Sequence, residues 1–270
     1  MIDEVLSQLM SGKEADVYVV RSGSKIRAAK VYKEAAKRSF KKAVTYQEGR
    51  KVRNSRRARA MEKGSKFGRK QQEDTWQNAE VDALQRVARA GVRVPETFGC
   101  VEGVLLMELI TDEQGDVAPR LDDVSMPAEQ AIEDHDVMMQ YVTRMLCAGV
   151  IHGDLSEFNV LVDEYGPVII DMPQAVNAAA NNSAEAMLKR DVNNMRDYYG
   201  QFAPEILTTR YADEIWALYA DGALKPGTEL TGEFEDPTES ADVDSVMEEI
   251  KAAMAEEEER LERIREAEED

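Results

Sequence analysis

One stretch constrains this chain more than any other. Residues 150–171 read VIHGDLSEFNVLVDEYGPVIID. His152-Gly153-Asp154 comes first, and Asn159 follows five residues after that Asp. Val160–Val162 is an apolar run, Asp163-Glu164-Tyr165-Gly166 has turn composition, and a second apolar run, Val168–Ile170, ends in Asp171. Two short apolar runs around a turn predict a β-hairpin. The plain reading is a hairpin with a solvated acidic turn, because Asp and Asn are ordinary turn residues. The alternative, that the acids and the amide do chemistry, depends on what the rest of the chain supplies.

The chain has 270 residues, of which 43% are hydrophobic. That suits one two-lobed domain or two small ones, with enough apolar content for a core. No apolar run approaches the length of a membrane span; the candidate Val104–Ile110 is interrupted by Glu108. The first ten residues carry Asp3 and Glu4 and no basic region, so no secretion signal is expected there. Cys100 and Cys147 make neither a disulfide framework nor a metal-ligand pair. They are expected to be small buried residues, in keeping with a reducing cytoplasm. The formal net charge of −19 hides an uneven distribution. Residues 21–70 hold 19 basic and 3 acidic residues, a balance of +16, which leaves −35 for the remainder. Residues 229–270 hold 18 acidic and 4 basic residues, a balance of −14. A basic block near the front and an acidic tail therefore lie in one chain.

In chain order, Val5–Met10, Asp16–Arg21 and Ile26–Tyr32 read as three strands, the last two joined at Ser22-Gly23. Ser11-Gly12-Lys13-Glu14-Ala15, between the first two, is a small turn. Such a turn can offer backbone N–H groups to phosphate or simply close a hairpin. Lys30 stands among apolar neighbours in the third strand. A strand Lys is ordinarily a solvated side chain, so these neighbours set it apart. Residues 46–70 form the basic block, with little apolar content and three glycines, and a flexible loop or marginal helix is expected. A helix follows over Gln72–Ala90. Ala79, Ala83, Val87 and Ala90 recur at helical spacing, with Trp76 and Leu84 on adjoining faces. Glu80 on this helix reads most simply as an exposed residue. Phe98–Glu102 and Val104–Ile110 read as strands, and Pro127–Ala148 as a helix with Ala131, Val137, Met138, Tyr141, Val142, Met145 and Leu146 on its core face. Ala184–Tyr199 is a further helix. One or two more follow in Phe202–Tyr219, with Ile206, Leu207, Ile215, Trp216 and Leu218 as core candidates. Pro226-Gly227 breaks the chain. Val243–Ile264 reads either as an amphipathic helix or as a solvated tail.

The assembled order is turn, Lys strand, Glu helix, strand pair, His-x-Asp with Asn five further on, then Asp after a hairpin. This order resembles that of protein kinases, and its spellings resemble the RIO family of atypical protein kinases. The pieces that carry the likeness are Ser11–Ala15 with Val17-Tyr18, Lys30-Val31-Tyr32, Trp76 four before Glu80, His152-Gly153-Asp154-Leu155-Ser156-Glu157-Phe158-Asn159, and Ile169-Ile170-Asp171-Met172-Pro173-Gln174. The likeness covers roughly residues 1–220. It is nearer the type-1 branch, whose flexible loop matches the basic block in place and character.

The resemblance implies an α+β, truncated bilobal kinase-like fold. An N-lobe of antiparallel sheet plus helix would occupy 1–110, with the loop 46–70 inserted, and a mainly helical C-lobe 111–225. The segment 226–270 would be an acidic tail, partly helical or disordered. The resemblance also implies ATP as substrate with Mg²⁺ or Mn²⁺. By it, Asp154 is the catalytic Asp, and Asn159 and Asp171 are the metal ligands. Lys30 meets the α- and β-phosphates and Glu80 orients Lys30. Ser11, Gly12, Lys13, Glu14, Ala15 and Val17 cover the phosphates, and Met107, Glu108 and Ile110 form the adenine-binding hinge. Asp171 is in addition a transient phosphate acceptor. Gly153 stands where ordinary kinases have Arg, and Met172-Pro173 where they have Phe-Gly. No activation segment follows Asp171, so no surface that reads substrate peptides is implied. Three functions compete. The first is a serine/threonine kinase, in part autophosphorylating. The second is an ATPase switch in the assembly of a ribosomal or RNA particle, which the basic loop would touch. The third, a non-catalytic RNA-binding module, is opposed by the presence of Lys30, Asp154, Asn159 and Asp171. No membrane partner is expected.

Overall fold

The computed structural model describes residues 2–33 and 79–236. The basic block 46–70, Trp76 and the segment Val243–Ile264 lie outside the described residues. The described residues up to Glu233 belong to one compact unit.

The first unit opens with strands β1 (Glu4–Ser11), β2 (Ala15–Ser22) and β3 (Lys25–Tyr32), followed by β4 (Thr97–Val101) and β5 (Val104–Met107). They form a five-stranded sheet in the order β1-β2-β3-β5-β4, antiparallel throughout. β2 and β3 pair without interruption, because Ser22–Lys25 is a tight turn with Gly23 at a φ of 62°. Val17 lies opposite Lys30, which in turn lies opposite Leu105 on β5. Lys30 therefore sits on a central strand with neighbours on both sides.

Helix α1 occupies the described residues 79–89. Its inward face is Glu80, Leu84 and Val87, at i, i+4 and i+7, all buried. This corrects the alanine-based stripe expected from the sequence, and Glu80 is not an exposed helix residue. Arg93, just past α1, pairs with Asp163 in the turn of the later hairpin, holding that carboxyl below the usual range despite partial burial. The strand expected over Val104–Ile110 stops at Met107. Beyond it the Glu108 N–H turns to Glu96 O at 2.8 Å, which takes the chain off the edge of β3.

The second half is built on α2 (Ala128–Cys147), α3 (Ala184–Tyr199) and α4 (Tyr211–Ala220), with the 3₁₀ turn Pro204–Thr208 before α4. The expected core face of α2 is buried except for Val137, which is partly covered. Of the candidates after residue 202, Ile206 and Ile215 are buried, but Leu207 is 47% exposed. A 3₁₀ turn places neighbouring side chains on different faces, and only one of the pair reaches the core. Strands β7 (Val160–Asp163) and β8 (Gly166–Ile169) form the expected hairpin, with Val160 opposite Ile169. A small sheet that sequence patterning missed joins β6 (Val150–Ile151) to β9 (Val176–Asn177). Two-residue strands carry too little periodicity to be read. Cys100 and Cys147 are partly exposed rather than buried. Within the first unit, the segment after Pro226 is held by Glu214, which accepts the N–H groups of Thr231 and Gly232. Among the described residues no helix is long and apolar enough to cross a membrane.

Candidate active site

Lys30 is 7% exposed. A buried ammonium needs anions at hand, and two are present. Its Nζ lies 2.5 Å from Glu80 Oε1 and 2.5 Å from Asp171 Oδ1. The other oxygen of Glu80 accepts a hydrogen bond from Tyr32 OH at 2.5 Å. Tyr32 follows Lys30 by two residues and so shares its face of β3. One strand thus supplies both donors to Glu80. Burial disfavours the charged Lys30, yet Glu80 and Asp171 outweigh it and hold the ammonium above the ordinary lysine range. Burial, and then Glu80, keep the Tyr32 phenol protonated as a donor. Burial works to raise the Asp171 carboxyl. The Lys30 ammonium overcomes that and holds it below the usual carboxylate range, with smaller help from Arg120.

Asp171 has a φ of 64°, in the left-handed region that non-glycine residues seldom occupy. Strain of this kind persists only where the surroundings hold it. Here the backbone turns at the end of β8, and the carboxylate meets Lys30 of the upper sheet.

The loop 152–159 is held from two sides. From the hairpin, His152 Nδ1 accepts the Asp154 N–H at 3.3 Å while Nε2 lies 3.1 Å from Ile170 O. In that pair of bonds Nδ1 accepts and Nε2 donates. Asn159 donates through Nδ2 to Asp154 O at 2.8 Å, and its own carbonyl accepts the Ile170 N–H at 3.0 Å. The hairpin register therefore sets Asn159 and Asp171 at the same open end. From α3, Asp191 accepts the N–H groups of Gly153 at 2.7 Å and Leu155 at 3.2 Å, and Asn194 donates to Leu155 O at 2.8 Å. Arg190 donates to Gly153 O. Burial raises the Asp191 carboxyl; the bonded N–H groups and Arg190 offset part of that. Asp154 itself is half-buried and takes a hydrogen bond at Oδ2 from Gln174 Nε2 at 3.2 Å.

The remaining expected site residues line two other segments. Ser11–Ala15 is the β1–β2 turn, in which the Gly12 N–H bonds to Ala15 O at 2.9 Å. Lys33 ties the turn down through Gly12 O at 2.7 Å and Ser11 Oγ at 3.2 Å, and pairs with Asp16 at 2.9 Å. Val17 follows on β2, opposite Lys30. Met107 ends β5 opposite Ala28. The Glu108 side chain accepts the Glu96 N–H at 3.1 Å, and Ile110 O accepts the Ala118 N–H at 3.0 Å. Lys30, Glu80 and Asp171 are thus in direct contact, and Asp154, Asn159 and Asp171 share one hydrogen-bonded frame. The turn and the hinge flank that cluster as separate segments.

Sequence reasoning gave no role to Tyr32, Gln174, Arg190, Asp191 or Asn194. Asp191 was findable: it falls in the buried stripe of α3 between Leu188 and Met195, where an unpaired acid would be costly. Asn159 Oδ1 and the Asp171 carboxylate are hard oxygen donors of the kind Mg²⁺ takes alongside phosphate oxygens and water. No cage of three or more His, Cys, Asp or Glu exists among the described residues, and a metal shared with phosphate requires none.

The family model for the RIO domain matches residues 16–212. The chain is 34% identical over 199 residues to the RIO-type serine/threonine-protein kinase Rio1 of Haloferax volcanii, covering 73% of this chain and 64% of that one. It is 30% identical over 226 residues to the serine/threonine-protein kinase RIO1 of Homo sapiens, covering 83% of this chain and 38% of that one. It therefore spans less than two thirds of the length of either relative. Among solved structures, a Rio2 kinase from Chaetomium thermophilum, in an ADP/Mg²⁺–phosphoaspartate complex, matches with a TM-score of 0.50 and 22% identity. The match covers 73% of this chain and 56% of that one. That likeness shows the fold, a truncated kinase-like α+β architecture.

Proposed function

The chain belongs to the RIO family of protein kinases, and from that premise we propose that it transfers the γ-phosphate of ATP to serine or threonine. One observation carries the proposal: Lys30 bridges Glu80 and Asp171 at 2.5 Å on each side. A buried lysine held this way is oriented by Glu80 and ready to exchange Asp171 for the α- and β-phosphates. Asp171, released, and Asn159 would be the residues that hold Mg²⁺. Mg²⁺, when bound, neutralises charge on the phosphates as the transferred group moves. Asp154 takes the proton of the attacking hydroxyl. The turn Ser11–Ala15 and Val17 cover the phosphates, and Met107, Glu108 and Ile110 face the base through their backbone.

A second reading is favoured by the state of Asp171. Its carboxylate is 40% exposed and held ionised, so it is itself a usable nucleophile. One of its oxygens would attack the γ-phosphorus, the β–γ bridging oxygen would leave with ADP, and water would later release phosphate. The printed description of the Rio2 complex, with its phosphoaspartate, supports this ATPase cycle. A ribosomal or RNA partner is proposed through the basic block 46–70 on charge alone.

Calorimetry and thermal melting with Mg²⁺–ATP test the proposal. Nucleotide at a hundredfold above its Kd should stabilise the fold by about 2.7 kcal/mol. Lys30→Met should weaken that binding. No heat of binding and no shift in Tm for the parent protein would refute the reading.

A further inference from the structure

Gln174 lies three residues past Asp171, in a turn closed by the Ala175 N–H on Met172 O at 3.2 Å. Met172 and Pro173 are buried and anchor this turn. From there the Gln174 side chain returns to the loop that carries Asp154 and donates through Nε2 to Asp154 Oδ2 at 3.2 Å. Among the described residues no other side chain donates to that carboxylate. Gln174 Oε1, at the other end of the same amide, is buried and has no partner.

The second fact bears on the first. A buried carbonyl oxygen without a donor destabilises the fold. An apolar side chain of the same length would fill the space without that cost. The amide is therefore poorly explained as a packing or stability element. What it uniquely supplies is an N–H aimed at one oxygen of Asp154.

We propose that Gln174 is a positioning residue for phosphoryl transfer. It holds Asp154 by Oδ2, which leaves Oδ1 to face the incoming hydroxyl. It also fixes that carboxylate relative to Asp171, because the two acids then share one short, anchored segment. The inference rests on the phosphoryl-transfer reading of the site and adds a residue that the reading does not use. Gln174 touches neither nucleotide nor metal in this scheme, so its removal should act on the rate and not on nucleotide affinity.

The test compares Gln174→Met and Gln174→Glu with the parent in three measurements: Tm, Mg²⁺–ATP affinity by calorimetry, and the single-turnover rate with γ-labelled ATP. Gln174→Met keeps the length and removes both the donor and the orphaned oxygen. Its Tm should equal or exceed that of the parent and its ATP affinity should be unchanged. Its rate should fall on the order of 10²-fold, the usual cost of a misplaced reacting group. Gln174→Glu keeps the shape but sets a second carboxylate against Asp154, and its rate should fall at least as far. A Gln174→Met protein that turns over as fast as the parent would overturn the inference and leave the proposed function standing. So would a variant whose Tm and ATP affinity fall together with its rate, since that is the mark of a structural residue. A parent protein that neither binds nor turns over Mg²⁺–ATP would overturn both.

Discussion

Asp191 grips the backbone on both sides of Asp154, taking the N–H of Gly153 at 2.7 Å and that of Leu155 at 3.2 Å. The residue that would meet the substrate hydroxyl is thus set by an acid on α3, well away in sequence. Asp191→Ala leaves two buried donors without acceptors, at about 1–3 kcal/mol each. Urea denaturation should register a loss of at least that order. A loss under half a kcal/mol would mean that the loop keeps its shape by other means.

Tyr32→Phe removes the hydroxyl that donates to Glu80 Oε2 and keeps the ring. The unpaired carboxylate oxygen is buried, so about 1–3 kcal/mol of stability should be lost. Mg²⁺–ATP affinity should fall as well, because Glu80 is then free to rotate away from Lys30. Glu80→Gln on the parent background should reproduce the loss of affinity. Unchanged affinity in both variants would remove Glu80 from the orienting role.

Much of this was legible in the sequence, and the failures have physical causes. The Lys30 strand, the β7–β8 hairpin and the helices α2 and α3 were readable because most of their inward positions are apolar and recur at the strand or helix period. On α1 the apolar period misled. Its inward face contains Glu80, a charged residue that is buried only because Lys30 and Tyr32 come from a strand some fifty positions earlier. No local pattern encodes a partner at that separation. The same holds for Gln174 and for the partners of Asp191, whose burial alone is readable from the stripe of α3. Glu108 reads as a strand residue by its neighbours, but its N–H is claimed by Glu96 and the strand ends before it.

His135 on α2 is buried among aromatic rings, with Tyr199 at 5.8 Å and Tyr211 at 5.5 Å, and burial pushes its pKa down to about 4. In the unfolded chain a histidine titrates near 6.5. Between those values the unfolded state binds more protons, so stability falls as pH drops from about 6.5 towards 4. The full effect is on the order of 3 kcal/mol. Burial raises Asp134 and Asp191, which act in the opposite direction. The difference between parent and His135→Phe therefore isolates the histidine. Melting curves from pH 7 to pH 5 should show the parent losing more stability than the variant. Parallel curves would mean that His135 takes up its proton as readily in the fold as in the unfolded chain.

Asp154→Asn and Asp171→Asn should fail differently. If Asp154 is the base of the proposed scheme, its loss should slow transfer by about 10²–10⁴ while Mg²⁺–ATP still binds. Loss of Asp171 removes the Lys30 partner and, on the proposed scheme, a metal ligand, so Mg²⁺-dependent binding should weaken too. ATP hydrolysis that survives Asp154→Asn and vanishes in Asp171→Asn would favour the aspartyl-phosphate cycle over direct transfer.

The most direct test of the account is incubation of the protein with γ-labelled ATP and Mg²⁺, followed by identification of the labelled residue. The account predicts acid-stable label on serine or threonine in the parent protein, strongly reduced in Asp154→Asn and absent in Lys30→Met. Label confined to Asp171 would replace kinase by ATPase as the main activity. No label on any residue, with no release of phosphate, would contradict the assignment of this site to phosphoryl transfer.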